Sequence, residues 1–160
     1  MTAARLAPLL ILLASIAVVG GALLSQYVGG LQPCELCLYQ RWPYYGVIVV
    51  TLAATIAGSR GLTSVVMAVA ALAFVIGAGI AFYHVGVEQH WFAGPSACTG
   101  TAAGDSLEEF QRRLLAQQPV ACDQPQWTLV GVSLAGWNLL VSLGLAAVSL
   151  AALRGSGRAA

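Results

Sequence analysis

Charged residues fall in clusters along this 160-residue chain, and the stretches between them are long and apolar. Arg5 and Glu35 enclose 29 uncharged residues, Arg41 and Arg60 enclose 18, Arg60 and Glu88 enclose 27, and Asp123 and Arg154 enclose 30. A hydrocarbon core about 30 Å thick takes about 20 residues of α-helix at 1.5 Å each. Each gap therefore predicts one membrane-crossing helix, over about residues 6–28, 42–58, 62–87 and 127–153. Pro43 falls in the first turn of the second segment, where proline suits a helix start. None of the segments alternates as a barrel strand does, and only helices or closed barrels satisfy their backbone in lipid. The chain reads as a single all-α domain over residues 1–160, an integral membrane four-helix bundle. Two outer loops, over about residues 29–40 and 88–125, join the spans. The first apolar run is longer than the core of a signal peptide and lacks a small-x-small cleavage site, so it is expected to stay as a span.

Composition agrees and narrows the options. Hydrophobic residues are 59% of the chain, and charged residues only 8%, against about 25% in a soluble domain. Such a chain can neither cover a soluble globule with charge nor remain disordered. A net charge of +1 excludes a nucleic-acid binder that works by phosphate neutralisation. Arginine gives the orientation, because the chain has no lysine. Arg5, Arg60, Arg154 and Arg158 lie on one side without an acid, whereas Arg41, Arg112 and Arg113 share the other side with all six acids. The acid-free side is expected to be cytoplasmic, with both termini inside and both loops outside. Trp42, Tyr44, Tyr45, Trp91 and Trp127 fall at the outer ends of the spans, where an aromatic belt is expected.

The longer loop carries Ser106 and Glu109 in the spacing of a capping box. Leu107, Phe110, Leu114 and Leu115 follow on one helical face, with Glu108–Arg112 and Glu109–Arg113 spaced as i,i+4 pairs. This pattern predicts a short amphipathic helix, either lying on the membrane surface or packed on the loop's own core.

All four cysteines, Cys34, Cys37, Cys98 and Cys122, fall in the two outer loops. The spacing suggests the pairs Cys34–Cys37 and Cys98–Cys122, although four cysteines allow three connectivities. Cys34-Glu35-Leu36-Cys37 closes a ring too small to stabilise much, which makes it a poor staple and a good redox pair. The wide spacing of the second pair argues against zinc, and Leu38 after Cys37 excludes the C-x-x-C-H of haem attachment. No metal is expected. Arg41, four residues after Cys37, would sit one helical turn below that thiol, where a cation favours the thiolate and offers donors to an oxyanion. No Gly-rich dinucleotide loop is present to take electrons from a dithiol, so elimination points to a quinone dissolved in the bilayer.

The run Pro33-Cys34-Glu35-Leu36-Cys37-Leu38-Tyr39-Gln40-Arg41 resembles the redox motif of the DsbB family of bacterial disulfide-bond formation proteins. The likeness extends to the four spans, a cysteine pair in each outer loop, and Ser133-Leu134-Ala135-Gly136-Trp137-Asn138 in the last span. It implies a multi-pass protein of the bacterial inner membrane, a protein-dithiol:quinone oxidoreductase that reoxidises a periplasmic DsbA-type thiol oxidase. Its cofactor would be ubiquinone or menaquinone, acting as electron acceptor. The resemblance assigns Cys98 as the cysteine that the partner attacks, Cys122 as the one that then attacks Cys34, and Cys37 as the thiolate facing the quinone with Arg41 in support. It also places quinone contacts at the outer end of the third span, where Glu88, Gln89 and His84 stand, with His90 nearby. The competing reading is a non-catalytic four-span scaffold with disulfide-stapled loops. Such a scaffold has no use for a C-x-x-C at the membrane face with an arginine one turn on.

Overall fold

A computed structural model describes residues 3–95 and 120–157. Cys98 and the expected amphipathic helix around residues 106–115 lie outside the described residues. The elements run α1 (Ala3–Tyr27), α2 (Glu35–Tyr39), α3 (Trp42–Ala57), α4 (Arg60–Glu88), a two-stranded hairpin of β1 (Thr128–Leu129) and β2 (Val132–Ser133), and α5 (Leu134–Gly157). This is an all-α helical bundle in which α1, α4 and α5 are each long and apolar enough to cross a membrane. The 16-residue α3 rises only about 24 Å, somewhat short of a hydrocarbon core of about 30 Å.

Local chemistry sets the breaks. Gly58 closes α3 in the left-handed conformation with its N–H on the Ala54 carbonyl, and Ser59 caps α4 through the Leu62 N–H. Two residues therefore reverse the chain, and α4 runs back along α3. Between α2 and α3, Gln40 and Arg41 keep helical dihedrals. Pro43 has no N–H to carry the hydrogen-bond ladder across, so the expected continuous helix through Arg41 is divided there.

The fourth span begins at Leu134, not at Trp127 as its apolar run predicts. Val130 (φ 54°) and Gly131 (φ 76°) are successive left-handed residues, the geometry that joins two strands through a two-residue turn. Thr128 then pairs with Ser133, and Leu129 with Val132. Ser133 ends the hairpin and caps α5, its Oγ accepting the Gly136 N–H at 3.1 Å.

The core runs along the inside of the bundle. Ile11 and Val19 of α1, Tyr44, Val47 and Ala54 of α3, Met67, Ala70 and Phe74 of α4, and Ala146 of α5 form one buried cluster. Alanines at the contacts let the helices approach closely, as membrane helices require. Leu10, Val49, Leu72 and Leu143 point outward and exposed, an apolar surface suited to lipid. The α4–α5 contact is extensive, whereas α1 and α5 scarcely touch.

Val130 is β-branched, 88% exposed and left-handed, a conformation costing roughly 1–2 kcal/mol for an L-residue. Val130→Asn keeps a side chain that tolerates this region and removes no packing. It is expected to stabilise the protein by about 1 kcal/mol, measured as a rise in thermal midpoint in detergent. An unchanged or lower midpoint would show that the turn carries no strain.

Candidate functional site

The site forms at the end of the bundle where the C-terminal ends of α1 and α4 and the N-terminal ends of α3 and α5 meet α2. Cys34 is extended and serves as N-cap of α2, its sulfur accepting the Cys37 N–H at 3.3 Å. That cap turns the C-x-x-C back on itself and brings the two sulfurs to 2.9 Å. They are hydrogen-bonded as free cysteines, so the expected Cys34–Cys37 bond is not formed in this structure, although the pair is in reach of it.

The two thiols are unlike. The hydrogen bond to Cys37, together with burial, pushes the Cys34 thiol far up, and it stays protonated. Cys37 is lowered to about 7, first by the hydrogen bond that Cys34 donates, against the opposing effect of burial, with the Arg41 cation adding to the lowering. Near neutral pH Cys37 is therefore the thiolate of the pair. Arg41 is half-buried, and its guanidinium donates to Gln26 Oε1 on α1 at 2.7 Å.

Behind the cysteines stands a string of buried polar groups. His84 Nε2 lies 3.6 Å from Cys34 Sγ, and Nδ1 lies 2.9 Å from Gln40 Nε2. Gln40 Oε1 accepts from Asn138 Nδ2 at 2.9 Å, and Asn138 Oδ1 accepts from the Tyr44 hydroxyl at 2.8 Å. Ser142 Oγ is 2.8 Å from the same hydroxyl. Glu88 Oε1 is 4.0 Å from His84 Nε2, and its other oxygen accepts from Ser133 Oγ, which joins the ends of α4 and α5.

A cavity of about 690 Å³ spans the gap between α1 and α5. Its apolar walls include Val18 and Ala22 of α1 and Val141 of α5, and Cys37, Arg41, His84 and Glu88 collect at the end nearest α2. This size and lining suit a small-molecule site with a few orienting polar groups. A quinone, with an apolar ring and tail and two oxygens that need donors, fits these residues. Trp127, expected as a belt residue, is part of the wall.

Of the expected site residues, the fold thus brings Cys34, Cys37, Arg41, His84 and Glu88 together. Gln89 is not among the cavity-lining residues; it is the exposed C-cap of α4. His90 is also exposed, in a left-handed turn. Cys122 is buried in one cluster with Cys34, Leu36 and Val87, and Cys37 packs against it. It is disulfide-bonded. Tyr44, expected in the aromatic belt, is instead buried, with its hydroxyl bonded to Asn138 and Ser142, and no site role was expected for Gln40, Asn138 or Ser142. The available signal was Asn138 and Ser142, polar residues one turn apart in an apolar span.

Comparison with known proteins follows the same line. The family model for disulfide bond formation protein DsbB matches residues 4–152. The chain belongs to the DsbB family. It is 34% identical over 138 residues to disulfide bond formation protein B of Stutzerimonas stutzeri, covering 81% of this chain and 82% of that protein. It is 32% identical to the protein of the same name from Cupriavidus metallidurans, covering 82% and 81%. An uncharacterised protein of Rickettsia prowazekii is 25% identical over 84% of this chain and 79% of its own length. Family and cysteine clustering together make this a membrane oxidoreductase with disulfide and quinone chemistry.

Because Cys37 is lowered to about 7, alkylation of the reduced protein at this cysteine should rise through that pH, slow below it and full above it. Removing a group that stabilises the thiolate raises the midpoint. Cys34→Ala should move it further than Arg41→Ala, since the thiol hydrogen bond is the larger cause. Mass-spectrometric alkylation rates against pH would check this, and the reverse order would mean that Arg41 dominates.

Proposed function

We propose that this protein reoxidises a periplasmic DsbA-type thiol oxidase by dithiol–disulfide exchange and delivers the electrons to a membrane quinone. The observation that carries the reading is the position of Cys37, a low-pKa cysteine in the wall of an apolar intramembrane cavity beside a half-buried arginine. A passive staple needs neither feature. In this reading the protein has four spans, α1, α3, α4 and α5. Both termini are cytoplasmic, both cysteine loops are periplasmic, and the protein lies in the bacterial inner membrane.

The exchange runs through the two cysteine pairs, taken as Cys98–Cys122 and Cys34–Cys37. The partner's thiolate attacks Cys98, and Cys122 leaves with the electron pair. Cys122 is packed against Cys34, which supports its attack on that sulfur. The Cys34–Cys122 bond forms, the Cys34–Cys37 bond breaks, and Cys37 leaves as the thiolate its surroundings favour. A bound quinone supplies a two-electron, two-proton acceptor. Cys37 and Arg41 would hold its ring end, with Glu88 and His84 at the same end of the cavity. Arg41 neutralises charge that builds there, and its bond to Gln26 keeps the guanidinium at the wall.

Losing a hydrogen bond to a charged group costs roughly 1.5–3 kcal/mol, so Arg41→Ala should slow quinone reduction by about one to two orders of magnitude. Arg41→Lys should keep part of the rate, because the charge stays while the planar fork is lost. Thiol exchange between DsbA and the second cysteine pair should change little. Stopped-flow measurement of the two half-reactions tests this, and a wild-type quinone step in Arg41→Ala would remove the arginine from the mechanism.

Cys98→Ser should block electron entry from DsbA and leave quinone reduction by a small dithiol partly intact. Equal loss of both activities would make Cys98 structural. For the topology, reporter fusions after Gly61 should read cytoplasmic and those after Gly104 periplasmic, and periplasmic activity at Gly61 would refute the orientation.

A further inference from the structure

The polar string behind the cysteines has a direction. The Tyr44 hydroxyl gives its one hydrogen to Asn138 Oδ1, so Ser142 donates to Tyr44. With Asn138 Oδ1 accepting, its amide nitrogen donates to Gln40 Oε1. That leaves the Gln40 nitrogen against His84 Nδ1. An amide nitrogen only donates, so Nδ1 must accept, and a neutral imidazole then carries its hydrogen on Nε2. Nε2 is the atom 3.6 Å from Cys34 Sγ. The Cys122 main chain is a further hydrogen-bond partner of the imidazole; a carbonyl there also calls for a ring N–H and shares that hydrogen with the sulfur.

We propose that His84 is the catalytic hydrogen-bond donor to the Cys34 sulfur, and that Gln40, Asn138 and Tyr44 are positioning residues that fix its Nε2–H form. The two sulfurs of the C-x-x-C are thereby served separately, Cys37 by a cation and Cys34 by a neutral imidazole. The catalytic use of this donor rests on the thiol:quinone reading above and extends it to one step. The partner's second thiolate first attacks the partner sulfur of the mixed disulfide, which closes the partner's own disulfide and releases Cys98 as a thiolate; when Cys98 then displaces Cys34 from Cys122, the Cys98–Cys122 bond forms and the Cys34–Cys122 bond breaks. The electron pair stays on Cys34, and the Nε2–H stabilises that charge while no proton moves. Reversing the string would put the ring hydrogen on Nδ1 and turn the Nε2 lone pair toward the departing thiolate. Tyr44, donating from the far end, holds the other sense. The ionisable groups around the Cys34 sulfur are Cys37 on α2, Arg41 beyond it, His84 and Glu88 on α4 with Tyr83 packed on the same cluster, and Cys122, which is disulfide-bonded. α1 and α5 line the cavity without an ionisable residue.

The test uses full-length protein with Cys37→Ser, Cys98→Ser and Cys122→Ser, in which Cys34 is the only thiol, and follows iodoacetamide alkylation against pH. A glutamine amide nitrogen reaches the place of Nε2, whereas an asparagine stops near Nδ1. His84→Asn should therefore cut the Cys34 thiolate fraction at neutral pH about ten- to a hundredfold and raise the midpoint. His84→Gln should restore part of the loss. Tyr44→Phe, which touches neither cysteine, should raise the midpoint in the same direction by a smaller amount. Equal behaviour of His84→Asn and His84→Gln, or slower alkylation at an unchanged midpoint, would reduce His84 to packing and overturn the proposal. An unmoved midpoint in Tyr44→Phe would overturn the positioning role. The assay contains neither quinone nor a partner oxidase. If the midpoint shifts as expected and the unsubstituted protein fails to reduce quinone, the functional reading and the catalytic use of the donor fall, while the Nε2–H donation to Cys34 stands.

Discussion

A polar side chain inside a bilayer has no water to fall back on, and that constraint organises the half of this bundle nearest the C-x-x-C. Leaving an amide or hydroxyl unpaired in hydrocarbon costs several kcal/mol. Tyr44 of α3, His84 of α4 and Asn138 and Ser142 of α5 meet this cost by bonding to one another through Gln40. A one-residue slip of any of these helices would break the string in at least one place. The register of three helices is therefore set by the same bonds that hold Gln40. Gln40 directly follows α2, so the height of the C-x-x-C over the bundle is fixed with them.

The half of the bundle away from the C-x-x-C is built on a different principle. There the helices meet through Ala54, Ala70 and Ala146 around Met67 and Phe74, with shape rather than hydrogen bonding as the guide. α1 takes no part in the polar string; apolar contacts and the Arg41–Gln26 bond hold it to the rest. Among the described residues, the side-chain hydrogen bond that ties this wall of the cavity to the site comes from Arg41.

Much of this was legible in the sequence. Charge spacing located α1, α3 and α4 to within a few residues, because hydrophobic length is a one-dimensional property. It failed at Trp127, where apolar residues continue outward past the helix into a hairpin: Val130 and Gly131 are as hydrophobic as a span but left-handed. The site was half visible. Cys34, Cys37 and Arg41 are close in sequence, and local spacing alone brings them together. His84 could be named only as one of several residues near the end of a span. Its place beside Cys34 depends on how α4 packs against α2, which no spacing encodes. Gln89 was put with it on the same linear grounds, and the rotation of α4 at its last turn leaves it outside. Asn138 and Tyr44 are 94 positions apart, and their bond exists only after α3 and α5 have met.

The poor contact between α1 and α5 has a kinetic meaning. Between two helices that barely touch, the cavity has a lateral gap in its wall at the depth of the acyl chains. A ligand arriving through that gap travels in the plane of the membrane and keeps its tail in lipid throughout. Its supply is then set by molecules per lipid, not by molar concentration in the surrounding water. Diluting the same enzyme and ligand in buffer would change little, whereas adding empty lipid would starve the site.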